Sequence, residues 1–265
     1  MKIWIIGGTK DSRDILDEIL KMEGNSIIVS TATEYGGKLL KDVAKNENVQ
    51  VVTERLNVLQ IESMILEKNI DLVIDASHPY AQNISSIVIS MVNYLNEKVA
   101  FGKKVKYVRF ERKMIDYGNE NVFQFQNLRE MVVFLRQFEN KNVLSTLGSN
   151  TLAEMKEIDE KNNLFIRILP TTSSIQKAEE LGYLPKNIIA MQGPFSKNMN
   201  VVMLQDLKID YLITKESGET GGELQKIEAC RECGVTILAI KRPVLDYGTV
   251  FNTIEELREY LLNFL

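Results

Sequence analysis

Short apolar runs rich in isoleucine, valine and leucine alternate along this chain with segments of helical spacing, and most runs end in glycine and small polar residues. In the first half the runs are KIWIIGG (2–8), NSIIVST (25–31), VQVVTE (49–54), IDLVIDAS (70–77) and VKYVRF (105–110). Between them, residues 11–22, 39–44, 58–66 and 80–95 repeat apolar positions at helical intervals. Parallel neighbouring strands need a long connection, usually a helix, so this alternation specifies βαβ crossovers.

Residues 111–126 (ERKMIDYGNENVFQFQ) break the rhythm with charge, amides and glycine. Strand-like runs then resume at 143–147, 164–170, 188–193, 210–215 and 235–241. Helical spacing falls at 128–138, 151–158, 175–181, 198–206, 223–233 and 253–262. The expected fold is α/β, with two Rossmann-like domains. Each is an open, mainly parallel sheet with flanking helices, and the ligand cleft is expected between them. The predicted boundaries are 1–112, a linker at 113–124, and 125–265.

A length of 265 residues suits two domains, and 45% hydrophobic with 26% charged residues is the balance of a globular protein in water. The formal charge of −4 and pI near 5.4 argue against general phosphate-backbone binding, so no nucleic-acid partner is expected. No apolar stretch is long enough to span a bilayer, and residues 1–6 are too short for a signal-peptide core, so a cytoplasmic protein without a membrane partner is expected. Cys230 and Cys233 form C-x-x-C without a second ligand pair, and His78 is the only histidine. Packing thiols are expected, with no protein-bound metal.

In an open parallel sheet, ligands bind beyond the carboxyl ends of the strands. The clusters expected there are IGGTKDSR (6–13), STATEYGG (30–37), DASHPYA (75–81), STLGSN (145–150), LPTTSS (169–174), QGPFS (192–196), TKESGETGG (214–222) and KRP (241–243). Gly7 and Gly8, followed by Thr9, Lys10, Asp11, Ser12 and Arg13, offer N–H groups and a positive helix end to a phosphate. The run lacks the third glycine of G-x-G-x-x-G, and a tight strand-to-helix turn explains both glycines equally well. At the end of the second strand, Ser30 and Thr31 stand where an acid would take the ribose 2′-hydroxyl of NAD. NADPH is therefore preferred over NADH, although Ser30 and Thr31 also suit a loop cap and Glu34 is nearby. Ser77 and His78 end the fourth strand, and His78 is held extended by Pro79. Ser149 and Ser196 have the form of helix N-caps.

Taken in order, these strings resemble the precorrin-6A reductase family of cobalamin biosynthesis, including its cobalt-precorrin-6A reductase branch. GGTKDSR resembles the family's G-G-T-x-E-x-R, DASHPYA its D-A-[ST]-H-P-[FY]-A, and GPFS its G-P-F-S. TKESGETGGELQK resembles T-K-[DE]-S-G-x-x-G-G-x-x-x-K, with RILP and KRP in place. Asp11 departs from the pattern, standing where the family often has glutamate. The resemblance implies NADPH- or NADH-dependent reduction of one macrocycle double bond in precorrin-6A, or its cobalt form, to precorrin-6B. It implies neither flavin nor a metal of the protein's own.

The first domain is expected to hold the cofactor, through Gly7 to Arg13, Ser30, Thr31, Ser77 and His78. The second is expected to contribute most of the contacts to the carboxylate-rich tetrapyrrole. The candidates there are Thr146, Gly148, Ser149, Pro194, Phe195, Ser196, Lys215, Ser217, Gly218, Gly221, Gly222 and Arg242, with Arg109 from the first domain. His78, Tyr80 and Lys215 are the candidates to polarise or protonate the substrate, with no single one required. Two alternatives remain open. One is a uroporphyrinogen-III synthase-like cyclase; the other is a nucleotide-sensing module without turnover.

Overall fold

A computed structural model describes residues 1–32, 36–37, 40, 46–98, 102–118, 121–218 and 221–264. Apart from Leu40, the predicted helix at 39–44 lies outside the described residues, as does the alternative ribose partner Glu34. The chain forms two compact units, one of residues 1–113 with 243–265 and the other of 114–242.

The first unit is built from β1 (Lys2–Ile6), α1 (Lys10–Ile19), β2 (Ser26–Thr31), β3 (Val49–Thr53), α2 (Val58–Glu67), β4 (Leu72–Asp75), α3 (Gln82–Glu97) and β5 (Lys106–Phe110). Its last elements, β12 (Val250–Phe251) and α9 (Ile254–Phe264), come from the end of the chain. The described strands form a parallel sheet in the order β12-β5-β4-β1-β2-β3. Alternation along each strand divides its side chains between two layers. Ile3, Ile5, Ile27, Val29, Leu72 and Ile74 meet Ile15, Leu16 and Ile19 of α1 and Leu257 and Leu261 of α9. Trp4, Ile6, Ile28 and Val73 meet Ile61 and Ile65 of α2 and Val88, Val92 and Leu95 of α3. Because both faces are covered, the strands read as continuous apolar runs.

The second unit holds β6 (Val122–Phe125), α4 (Leu128–Leu135), β7 (Asn142–Ser145), α5 (Leu152–Asp159), β8 (Asn163–Ile168), α6 (Thr172–Glu180) and β9 (Ile188–Ala190). It ends with α7 (Lys197–Asp206), β10 (Tyr211–Lys215), α8 (Glu223–Cys233) and β11 (Thr236–Ile240). The sheet order is β6-β11-β10-β7-β8-β9, again parallel throughout. Leu144, Phe165, Leu212, Ile237 and Ala239 pack against Val201 and Leu204 of α7 and Ile227, Ala229 and Cys230 of α8.

The expected boundaries differ from these units in two places. β6 lies at the end of the segment that interrupts the rhythm, and it pairs with β11. The tail from Pro243, expected in the second domain, instead lays β12 beside β5 and packs α9 against α1. The first sheet thus takes its edge strand β12 from beyond the contiguous run β1 to β5, whereas the second is built from the single run β6 to β11 with β6 at its edge. Among the described residues no helix is long and apolar enough to cross a membrane.

Candidate functional site

Each sheet has a point where strand order reverses. In the first it lies between β1 and β4, in the second between β7 and β10. Such switch points open a crevice at the carboxyl ends of the strands. A threonine hydroxyl crosses each one. Thr9 Oγ1 donates to the Ala76 carbonyl at 2.8 Å, and Thr146 Oγ1 donates to the Ile213 carbonyl at 2.8 Å.

In the first unit, Gly7 is packed tightly. A Cβ there would meet Ser12 Oγ and Val29 Cγ1 at 3.1 Å, and its N–H donates to the Ser30 carbonyl at 2.8 Å. Gly8 is the opposite. Its φ of +100° suits only glycine, and among the described residues a Cβ would meet nothing within 4 Å. Thr9 and Ser12 then form a reciprocal capping box: Thr9 Oγ1 accepts from Ser12 N at 3.1 Å, and Ser12 Oγ accepts from Thr9 N at 3.3 Å. The N–H groups of the first turn beyond that box precede the helical ladder and carry the positive end of the helix dipole. Among the described residues, Arg13 Nε is buried without a hydrogen-bond partner. An open backbone turn, a helix N-terminus and an unmatched guanidinium nitrogen together fit a pyrophosphate.

Other sequence candidates around this turn have contacts within the unit. The Ser30 hydroxyl faces inward and accepts from Trp4 Nε1 at 2.9 Å, and Thr31 is buried. Lys10 lies exposed, 3.6 Å from Asp14. Asp11 is paired with Arg112 Nε, a partner 101 residues away that sequence reading did not single out.

The fourth strand ends in a buried polar hub. Asp75 is fully buried and accepts from Ser77 N at 3.0 Å, Ser85 Oγ at 2.5 Å, Tyr107 OH at 2.7 Å and Arg109 Nη1 at 2.7 Å. Arg109 Nη1 also donates to Ser77 Oγ at 3.0 Å, and its guanidinium lies 4.9 Å from the centre of the Tyr247 ring. In this structure Arg109, a candidate for the substrate, is held inside the unit. The side chain is sealed and neutralised by Asp75, its register neighbour on the adjacent strand. Burial would lower its pKa, but Asp75 and Glu111 outweigh that and raise it; burial and then Asp75 push the Tyr107 phenol far above its usual range.

This hub carries the exposed His78. His78 Nδ1 accepts from the Tyr80 N–H at 3.3 Å, and the two rings lie 5.7 Å apart. With Nδ1 accepting, the neutral imidazole carries its proton on Nε2.

In the second unit, the loops after β9 and β10 touch. A Cβ on Gly222 would meet Pro194 Cβ at 3.0 Å, so glycine here lets QGPFS and TKESGETGG pack together. Glu219 and Thr220 lie outside the described residues. Ser196 caps α7, accepting from Met199 N at 3.2 Å. Ser149 does not cap a helix: it begins a short 3-10 turn after Gly148 and shares a hydrogen bond with Ser174 Oγ at 3.1 Å.

Lys215 ends β10 half-buried, and desolvation pulls its ammonium below the usual range. Ser217 and Gly218 are buried, and Gly221 N donates to the Gly218 carbonyl at 3.0 Å. Glu216 accepts from Gln124 Nε2 at 2.7 Å and from the Arg242 N–H at 2.8 Å, which binds KRP to the end of β10. Glu223 accepts from Gly218 N at 2.6 Å and from Tyr117 OH.

Sequence reading did not single out Arg167 or Lys226 as site residues, although both lie within the quoted strings RILP and TKESGETGGELQK. Arg167 lies 4.5 Å from the centre of the Phe195 ring and donates to Asn200 Oδ1 at 2.9 Å. Lys226 is buried and donates to Thr214 Oγ1 at 2.8 Å. Cys230 is a core residue whose thiol burial pushes up to about 12, so it is an inert packing group.

The family model described as precorrin-6x reductase CbiJ/CobK matches residues 2–262. A cobalt-precorrin-6A reductase of Methanococcus maripaludis is 35% identical over 99% of this chain and 100% of its own length. Another, from Methanocaldococcus jannaschii, is 34% identical over 99% of each chain. The solved structure of CobK precorrin-6A reductase superposes with a TM-score of 0.79 at 18% identity, covering 99% of this chain and 96% of that one, a likeness that speaks for the fold. The chain belongs to the precorrin-6x reductase family, CbiJ/CobK.

Proposed function

We propose that this protein catalyses NAD(P)H-dependent reduction of precorrin-6A, or its cobalt complex, to the dihydro product precorrin-6B in cobalamin biosynthesis. The observation that carries the reading is the open Gly8 turn at the N-terminus of α1, beside the β1/β4 switch point, in a chain of this family. We assign the dinucleotide to the first unit, with its pyrophosphate on Gly8 and the first turn of α1 and with Arg13 as its cation. NADPH is preferred because β2 ends in Ser30 and Thr31, without an acid to hold a free ribose 2′-hydroxyl.

When bound, the dinucleotide supplies a hydride to an electron-poor ring carbon, and the second hydrogen of the product arrives as a proton. Around that step the chain orients and screens. The Asp75–Arg109 hub fixes the loop that bears His78, whose Nε2–H is directed by the acceptor role of Nδ1. His78 Nε2–H is the hydrogen-bond donor that this geometry favours for polarising the substrate, with Tyr80 its ring neighbour, and the proton itself comes from water. In the second unit Lys215 supplies a desolvated cation for the substrate's carboxylates, with the loops that carry Pro194, Phe195, Ser217, Gly221 and Gly222 around it.

A bound ligand at roughly a hundred times its Kd stabilises by about 2.7 kcal/mol. NADPH is therefore expected to raise the melting temperature by a few degrees, and NADH by less. No shift with either at millimolar concentration favours the cyclase reading.

A further inference from the structure

Among the described residues, two cations in the second unit form no ion pair. Arg167 rises from β8, and Lys226 from the first turns of α8. Among the described residues neither has a carboxylate within ion-pairing distance: the polar partners of Arg167 are Asn200 Oδ1 and Met203 Sδ, and that of Lys226 is Thr214 Oγ1. Arg167, Phe165 and Thr214 project to one face of the sheet, that of α7 and α8, near its carboxyl edge. Phe195 of QGPFS lies over the Arg167 guanidinium, and Pro194 of the same loop packs on Gly222, four residues before Lys226.

A buried charge without a counter-charge is costly, and apolar groups of similar size are often as stabilising or more so, which points to a use for such charges beyond stability. Here two like charges rise toward the same face of the sheet, Arg167 from β8 and Lys226 through its hydrogen bond to Thr214 of β10. We propose that Arg167 and Lys226 form an anion seat beneath the QGPFS loop that takes a side-chain carboxylate of the tetrapyrrole. The inference rests on the proposed polycarboxylate substrate and adds a specific subsite to it.

Lys226 is held down to about 8, first by desolvation and then by Arg167, while Glu223 and Cys230 of its own helix act in the opposite sense. Arg167 is lowered to about 10 by burial, so it remains charged across the range where Lys226 titrates. A bound carboxylate favours the charged ammonium. Anion affinity is accordingly highest below pH 8 and falls as the pH rises through that value.

The probe is uroporphyrin, an eight-carboxylate tetrapyrrole, titrated by fluorescence into the full chain, with NADPH affinity measured separately. Arg167→Met and Lys226→Met are expected to weaken uroporphyrin at least about tenfold while leaving NADPH affinity unchanged. Their melting temperatures without ligand should equal or exceed that of the wild type, since an uncompensated charge has been removed. Lys226→Arg keeps the charge, so it should retain binding and lose the step near pH 8. Uroporphyrin binding equally well to wild type and both Met variants overturns the seat, as does a wild type that binds NADPH but not uroporphyrin. Variants that melt well below wild type while binding the probe normally make the pair a structural one and also overturn it. A wild type that binds uroporphyrin and not NADPH sinks the reductase reading and leaves the seat standing.

Discussion

At the scale of single residues, the sealed and the open positions separate cleanly. Arg109 carries a cation at a strand end, the same signature as Lys215, yet it is sealed where Lys215 is half-buried. It is fully buried and its charge is spent on Asp75. Nothing in the local sequence distinguishes the two, because the pairing partner lies on the neighbouring strand in register and 34 positions away. Removing one partner of a buried ion pair typically costs about 3–5 kcal/mol. Arg109→Met is therefore expected to lower unfolding free energy by about that amount in urea titration. A variant of normal stability that has lost only tetrapyrrole affinity would restore Arg109 to the substrate site. Ser30 teaches the same lesson on a smaller scale: its hydroxyl was legible as a strand-end donor, but not its use by Trp4.

At the scale of elements, the strand–turn–helix unit from β1 to α1 divides its adjacent glycines between packing and opening. Gly7 faces Ser12, Val29 and the Ser30 carbonyl, whereas Gly8 faces space and holds a positive φ. Gly7→Ala should cost stability, roughly 1–3 kcal/mol as an overpacked site, with NADPH affinity preserved in whatever remains folded. Gly8→Val adds backbone strain of order 1–3 kcal/mol and places a branched side chain over the turn. It is expected to weaken NADPH at least about tenfold, with uroporphyrin affinity unchanged. Isothermal titration of both ligands against both variants checks the division. If Gly8→Val loses both ligands equally, the assignment of the dinucleotide to this turn is wrong.

At the scale of the whole molecule, the two parallel sheets and most of their helices were legible, because strands covered on both faces are continuous apolar runs and the helices between them keep their spacing. The placement of β6 and β12 was not. β6 is an edge strand whose residues are only half-buried or exposed, so it lacks the apolar signature of its neighbours. β12 is two residues long and carries no periodicity at all. Its membership in the first sheet is decided by pairing with Arg109 and Phe110 and by the α1–α9 contact, information that no local window contains. The polar loops at the strand ends of each sheet were legible, and the motif order carried the family. The interior charges were not, since burial and pairing are properties of the assembled unit.

The most direct test of the central claim is an anaerobic single turnover, with cobalt-precorrin-6A mixed with enzyme and an equal amount of NADPH. One cofactor oxidised for each tetrapyrrole converted, with the product mass increased by that of the added hydrogens, is the predicted result. A bound cofactor that stays reduced, or a ring that changes while NADPH is untouched, would contradict it.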